Sequence, residues 1–281
     1  VHVAWNGTKG ARPENPNGGA PMLYARSNGE RTAFEPQRNL MQWTSGLDGG
    51  GTVAADGQGA VIVAWHGRAK DAPAGEIGRR FFVARSSDDG ATFAPEEPAL
   101  AQETGACACC GTRAFFDRAG TFYALYRAAT NNVDRDMILV ASRDWDRGYQ
   151  TEVIHKWRFN ACPMSSESLA EGGAGVLAAW ETKGQVYFGR IAPKTLAIRP
   201  IPAPGRGGSR KHPALASNAH GETILVWAEG TAWQKGGDLV WQVFDPSGRP
   251  TGEAGRIEGG IPVWGLPTVV ARPDGGFTIL H

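Results

Sequence analysis

The chain has no apolar stretch near the roughly 20 residues that a helical membrane span needs, so none is expected among its 281 residues. Charge of one sign is also missing. With 29 Lys+Arg against 28 Asp+Glu and no run of like charges, there is no electrostatic footing for nucleic acid or an anionic membrane as partner. Cysteine is scarce, at four residues confined to positions 107–162. The chain starts at Val1 instead of an initiator Met, so removal of a leader or tag is expected and export stays open. What is abundant excludes long helices: 39 Gly, 18 Pro and 10 Trp make the sequence too turn-rich and aromatic for a helical bundle.

A repeat is present. The five-residue pattern Val1 to Trp5 returns as Val61 to Trp65, Phe122 to Tyr126, Val176 to Trp180, Thr223 to Trp227 and, weakly, Phe277 to His281. The last residues of these copies recur at intervals of 47 to 61 residues, the length of a four-stranded blade. Five copies follow a short apolar strand and a turn rich in Asp, Asn and Gly, such as Asp56 to Gly59, Asp117 to Gly120 and Asn218 to Gly221. Those residues tolerate positive φ and so close hairpins. Each unit reads as an inner strand, a hairpin, a Trp-ended second strand and a variable outer pair. Six such units predict an all-β, single-domain chain over residues 1–281, a six-bladed β-propeller whose termini complete the ring. A β-sandwich is the alternative, but it does not need a shared hairpin at a shared offset.

The segment Ser86-Ser87-Asp88-Asp89-Gly90-Ala91-Thr92-Phe93 matches the Asp-box pattern Ser-x-Asp-x-Gly-x-Thr-Trp/Phe at every specified position, with Ser86, Asp88, Gly90, Thr92 and Phe93 carrying the match. Degenerate copies lie at Ser27 to Phe34 and Ser142 to Tyr149. The chain thus resembles the BNR-repeat, sialidase-like propellers. In that family the box is a structural staple on the outer strands. The resemblance implies a carbohydrate-active protein: an exo-glycosidase with three arginines on the substrate carboxylate, a Glu-activated Tyr nucleophile and an Asp acid/base, or a non-catalytic glycan-binding relative. The family's Arg-Ile-Pro motif is absent here.

The repeat also supplies a register for the mouth of a central channel, where a glycan or small-molecule ligand is expected. Seventeen residues before the strand-end markers lie Asp48, Cys109, Pro163, Arg210 and Trp264; Cys110, Met164 and Lys211 follow by one, and His212 comes next. Thirteen before stand Arg113 and Glu167. Arg113, Glu167, Arg210 and Tyr126 are therefore the candidate catalytic residues, with Tyr123 beside Tyr126. Asp48, Lys211 and Trp264 are the candidate substrate contacts, Trp264 as an aromatic face for a sugar ring. Arg113 with Glu167 reads first as an interblade salt bridge and second as a polar anchor or acid/base pair. Glu181 and Glu229 are expected to be exposed, and Trp5, Trp65, Trp180 and Trp227 to be core.

The same rim gathers Cys107, Cys109, Cys110 and Cys162. One reading is a disulfide from Cys162 to Cys109 or Cys110. The other is a metal-handling or redox-linked propeller: with Met164 and His212, these residues offer thiolate, thioether and imidazole donors suited to Cu(I) and tolerable for Zn. Adjacent Cys109 and Cys110 are expected to strain the backbone if both enter one site. Either function implies a periplasmic or secreted protein.

Overall fold

The structure is a computed structural model that describes residues 1–281. It is built from antiparallel β-strands, with one 3-10 turn at Trp145–Arg147. The chain divides into two compact units, Val1–Met164 and Ser165–His281, each of which holds three sheets.

In the first unit, β1 (His2–Asn6), β2 (Met22–Arg26) and β3 (Arg38–Asn39) form one sheet. The second sheet contains β4 (Thr44–Ser45), β5 (Gly51–Ala55), β6 (Val61–Ala69), β7 (Arg79–Ser86) and β8 (Glu97–Pro98). The third runs β9 (Thr112–Phe116), β10 (Phe122–Arg127), β11 (Met137–Ser142) and β12 (Gln150–His155) in sequence order. Strand β5 lies between β1 and β9.

In the second unit, β13 (Ser168–Gly172), β14 (Gly175–Thr182), β15 (Gln185–Arg190) and β16 (Ile201–Pro202) make a meander. So do β17 (Lys211–Ser217), β18 (Thr223–Glu229), β19 (Gly237–Phe244) and β20 (Pro250–Ile261). The last sheet is the pair β21 (Thr268–Ala271) and β22 (Phe277–Leu280). Here β17 lies between β13 and β21. All six copies of the sequence repeat are strands: β1, β6, β10, β14, β18 and β22.

The middle sheet of each unit explains why the repeated strands are apolar at every position instead of at alternate ones. Val61, Val63 and Trp65 of β6 pack with Met22 and Tyr24 of the first sheet, while Ile62 and Ala64 pack with Ala114, Phe122 and Ala124 of the third. In β18, Leu225 and Trp227 face Leu177 and Phe188, while Ile224 and Val226 face Val269. Side chains alternate across a strand, so a sheet covered on both faces needs apolar residues at both parities. Trp65, Trp180 and Trp227 are fully buried, as expected of markers between sheets. Trp5 is only partly buried.

The hairpins close as their residues dictate. The carboxylate of Asp56 accepts from the amides of Gln58 and Ala60, Asp117 from Ala119 and Thr121, and the Asn218 carbonyl from His220 and Glu222. A glycine at positive φ follows three residues on in each case: Gly59, Gly120 and Gly221. The segment that resembles an Asp box makes a tighter version after β7. Ser86 Oγ donates to Asp88 Oδ1 at 2.7 Å, Gly90 N donates to Ser86 Oγ at 2.9 Å, and Thr92 donates to Asp88 through both its amide and its hydroxyl. Phe93 then packs edge-on against Tyr24 of the neighbouring sheet, with ring centroids 4.8 Å apart.

Strand pairing corrects one step of the sequence register. Arg113 pairs with Leu125, one before the marker Tyr126, but the residue that pairs with Ala179, one before Trp180, is Ser168 and not Glu167. The β13–β14 turn is one residue shorter than its counterparts, and a one-residue slip reverses which side of a strand a residue faces. Cross-strand bonds agree. Thr52 Oγ1 accepts from Ala114 N at 3.1 Å in the first unit, and Ser168 Oγ accepts from Leu215 N at 3.0 Å in the second. Ser168 is thus the counterpart of Thr52, and Arg113 and Glu167 are not equivalent positions.

Candidate functional site

Antiparallel pairing sends the loops of each unit to two edges of its sheets. One edge carries the short Asp and Asn turns; the other carries the longer segments 70–78, 99–111, 128–136 and 156–164 in the first unit, and 203–210, 230–236 and 262–267 in the second. Nearly every side chain singled out for chemistry lies on this long-loop edge.

In the first unit the cysteine segment is pinned through its backbone. Cys107 N donates to Arg127 O at 2.9 Å, Ala106 N to Glu76 O at 3.1 Å, and Ala108 N to the Glu76 carboxylate at 2.8 Å. Gly49 N donates to Ala108 O at 2.7 Å. A Cβ at Gly49 would stand 3.0 Å from Ala108 O and from Cys109 Cα, so a side chain there would push the cysteine segment back by a few tenths of an ångström. Glu76 also pairs with Arg135 at 2.6 Å. Burial raises the Glu76 pKa, but the Ala108 amide, Arg135 and the Cys107 thiol outweigh it and hold the carboxyl below its ordinary range. His66 is buried, with Nε2 3.4 Å from Cys110 O, and burial pushes its pKa down to about 4.

This frame brings all four cysteine sulfurs within 4.8 Å of one another. Cys109 and Cys162 form a disulfide with Cα atoms 6.8 Å apart, and Cys107 and Cys110 are buried beside it. Cys107 Sγ stands 3.6 Å from Cys162 Sγ and 3.9 Å from Cys109 Sγ. Its hydrogen bond with Cys110, then burial, then the Glu76 charge drive its thiol pKa upward. A turn at Ala108–Cys109 lets the adjacent Cys109 and Cys110 side chains converge, and neither residue takes positive φ. Of the other soft donors, Met164 has a left-handed backbone (φ 48°), and His212 Nδ1 lies 3.2 Å from Ser166 Oγ, with burial pushing its pKa to about 4.

The remaining first-unit candidates divide. Asp48 is exposed, 3.9 Å from Arg79. Arg113 on β9 is exposed, and desolvation lowers its pKa. Tyr126 is 1 % exposed, stacked on Phe81 at 5.0 Å and hydrogen-bonded to Thr104 Oγ1 at 2.6 Å. Burial raises the pKa of Tyr126, and Tyr123 is buried as well. Neither hydroxyl is placed to attack a substrate.

In the second unit Glu167 precedes β13 and is buried. Arg210 is 1 % exposed and held on several sides: Nε donates to Glu229 Oε2 at 2.8 Å, Nη1 to Ala203 O at 2.8 Å and to Gln185 Oε1 at 3.1 Å, with the guanidinium over the Trp227 ring. Arg256 pairs with the same Glu229 carboxylate. Glu229, expected to be exposed, is 4 % exposed at the end of β18, and Glu181 is buried too. Arg210, a candidate catalytic residue, therefore has Nε and Nη1 engaged with Glu229, Ala203 and Gln185. A cleft of about 360 Å³ opens beside the network, lined by Arg206, Trp241 and Arg256 among others. Lys211 begins β17 and is partly exposed.

Trp264 lies where the register put it, 58 % exposed on the 262–267 segment with φ of 65°. Sequence reasoning missed its partner. Trp233, 65 % exposed on the 230–236 segment, meets it edge-to-face with ring centroids 4.8 Å apart and planes at 85°. The available signal was a tryptophan between Gly230 and Gly236, in a loop that no copy of the repeat demands. Two indoles held against each other with most of their faces in water form an open aromatic platform, extended by exposed Val263 and Leu266.

No family model and no curated protein matches the chain. Solved structures do. An intramolecular trans-sialidase from Ruminococcus gnavus, in complex with oseltamivir carboxylate, is 10% identical with TM-score 0.63, covering 100% of this chain and 86% of that one. The Hadza microbial sialidase Hz136 is 14% identical with TM-score 0.59, covering 96% of this chain, which spans 61% of the sialidase. An α-L-arabinanase from Penicillium chrysogenum, complexed with arabinobiose, is 15% identical with TM-score 0.55, covering 85% of this chain and 76% of the arabinanase. No helix is long and apolar enough to cross a membrane. The all-β sheets, the repeated strands buried on both faces and these neighbours together give the chain the sialidase-like β-propeller fold.

Proposed function

We propose that the protein is a glycan-recognition propeller, descended from the glycosidase architecture but without the tyrosine-based hydrolytic machinery of sialidases. The observation that carries this reading is the exposed Trp233–Trp264 pair. The apolar face of a pyranose or furanose ring stacks on an indole, which supplies contact area at low conformational cost. Lys211 and Arg206, on neighbouring segments of the same edge, give an acidic sugar a cation to approach.

Three observations weigh against sialoside hydrolysis. The Arg-Ile-Pro segment is absent, and Arg210 is committed to Glu229. Tyr123 and Tyr126 are interior, so neither serves as a nucleophile in a retaining mechanism. The resemblance to glycosidase propellers makes a glycan the ligand class, and glycan recognition of this type belongs to a secreted or periplasmic protein. Within the first unit, exposed Arg113 is a separate candidate anchor for a ligand carboxylate.

The test is a panel of sialylated and arabinose-containing oligosaccharides, read by binding and by release of free sugar, together with an aryl sialoside. Saturable binding with weak or absent hydrolysis supports the proposal. Robust turnover that is lost on Arg113→Ala or Glu167→Gln, with folding intact, overturns it in favour of an enzyme.

A further inference from the structure

The four cysteines do not all fit a structural disulfide. One covalent bond needs two sulfurs, yet the fold spends backbone contacts at Gly49, Glu76 and Arg127 on bringing four together. Four thiolates on one ion with metal–sulfur bonds of about 2.3 Å stand about 3.8 Å apart; all four sulfurs here lie within 4.8 Å of one another, and only the bonded Cys109–Cys162 pair must separate, on reduction, to reach that spacing. Cys107 lies 3.6 Å and 3.9 Å from its two measured neighbours. A multi-iron cluster spreads its cysteine sulfurs further apart than one ion does, so the spacing selects a mononuclear site. Cys107 with Cys110 also supplies the Cys-x-x-Cys half-site common in structural zinc centres.

Thiol–disulfide exchange is a weaker reading of the same atoms. An attacking thiolate must approach along the axis of the disulfide it cleaves. Cys107 is instead nearly equidistant from Cys109 and Cys162, beside their bond and off its axis.

We propose that in the reduced protein Cys107, Cys109, Cys110 and Cys162 together bind one zinc(II) ion as a tetrahedral tetrathiolate. The disulfide and the metal site are alternative states of one cluster. A dithiol reductant cleaves the Cys109–Cys162 bond, giving two protein thiols and the oxidised, cyclic form of the reductant. The four thiols then bind Zn²⁺ with release of four protons, which leaves a zinc tetrathiolate of net charge −2. Arg135, tied to the cysteine segment through Glu76, offsets part of that charge. Buried Cys107 and Cys110 form the floor, and exposed Cys162 leaves the entry path.

The experiment titrates the intact protein, reduced under inert gas, first with Co(II) and then with Zn(II). The proposal expects one Co(II) per chain with intense tetrahedral d–d bands and thiolate-to-metal charge transfer, stoichiometric displacement by Zn(II), and loss of all four thiols to an alkylating reagent. Cys162→Ser, at an exposed position and checked for folding by circular dichroism, should bind at least about 100-fold more weakly, as should Cys107→Ser and the protein with its disulfide intact. An octahedral cobalt spectrum overturns the proposal. So does binding that survives Cys162→Ser unchanged, or four thiols that stay fully reactive in saturating zinc.

Discussion

The two edges of the sheets within each unit follow different construction rules. On the short-turn edge, Asp56, Asp117 and Asn218 each satisfy two backbone amides of their own hairpin, and Asp245 does the same between β19 and β20. These turns are local and interchangeable. On the long-loop edge no two loops are alike. Two share the four cysteines, another ends at Arg210, which meets the same Glu229 carboxylate as Arg256, and two others bring together a pair of exposed indoles. Where the repeat is kept, the residues serve the fold; where it is broken, they carry the chemistry.

Substitutions should separate the edges, and the largest effect belongs to the long loops. Glu229→Ala leaves Arg210 buried with its main counter-charge removed, which should cost about 3 to 5 kcal/mol in urea unfolding. A cost below about 1 kcal/mol would show the network to be dispensable and the cleft beside it free to have been built for a ligand.

In the first unit, acid acts on the long-loop edge through His66. Its folded pKa, about 4, lies below the ordinary 6.5, so the unfolded chain binds the extra proton between those values. Stability from this group is full above about pH 6.5, falls as the pH drops toward 4 and is flat below, a loss of at most about 3 kcal/mol. Urea midpoints at pH 7 and pH 4.5 should differ, and His66→Gln should reduce the difference. An unchanged difference in that variant would assign the acid sensitivity elsewhere.

The short-turn edge should yield less. Asp56→Ala removes two side-chain-to-amide bonds at a solvent-facing turn and should cost about 1 to 2 kcal/mol, with no change in any ligand interaction. A comparable loss of glycan binding would mean that the edges are not functionally distinct.

This division also sets what could be read from the sequence. The six strand copies and their hairpins were legible because each is a local pattern repeated under the same constraint: apolar at both parities, then Asp or Asn and a glycine. The Cys109–Cys162 pairing lay within what the register allowed. Glu167 was misplaced by one position because the count assumed equal turns, and the Glu171–Gly175 turn is shorter. Glu229 looked like a strand-end residue open to water, because nothing local announces that Arg210 and Arg256 will both reach it. Tyr126 stood at a marker position, and the sequence already used such positions as core, so its burial follows from the repeat. The Trp233–Trp264 contact joins segments about 30 residues apart, and only the sheet topology brings them together.

Glycan recognition at that pair is the central claim, and titrating the panel's tightest oligosaccharide into wild type, Trp233→Ala and Trp264→Ala tests it most directly. Both indoles are largely exposed, so each variant should keep its stability within about 0.5 kcal/mol. The account predicts saturable binding by wild type with a change in tryptophan emission, and a loss of about two- to tenfold in affinity in each variant, in line with about 0.5 to 1.5 kcal/mol for an aromatic contact. Undiminished affinity in both stably folded variants would contradict it and move the ligand site away from the platform.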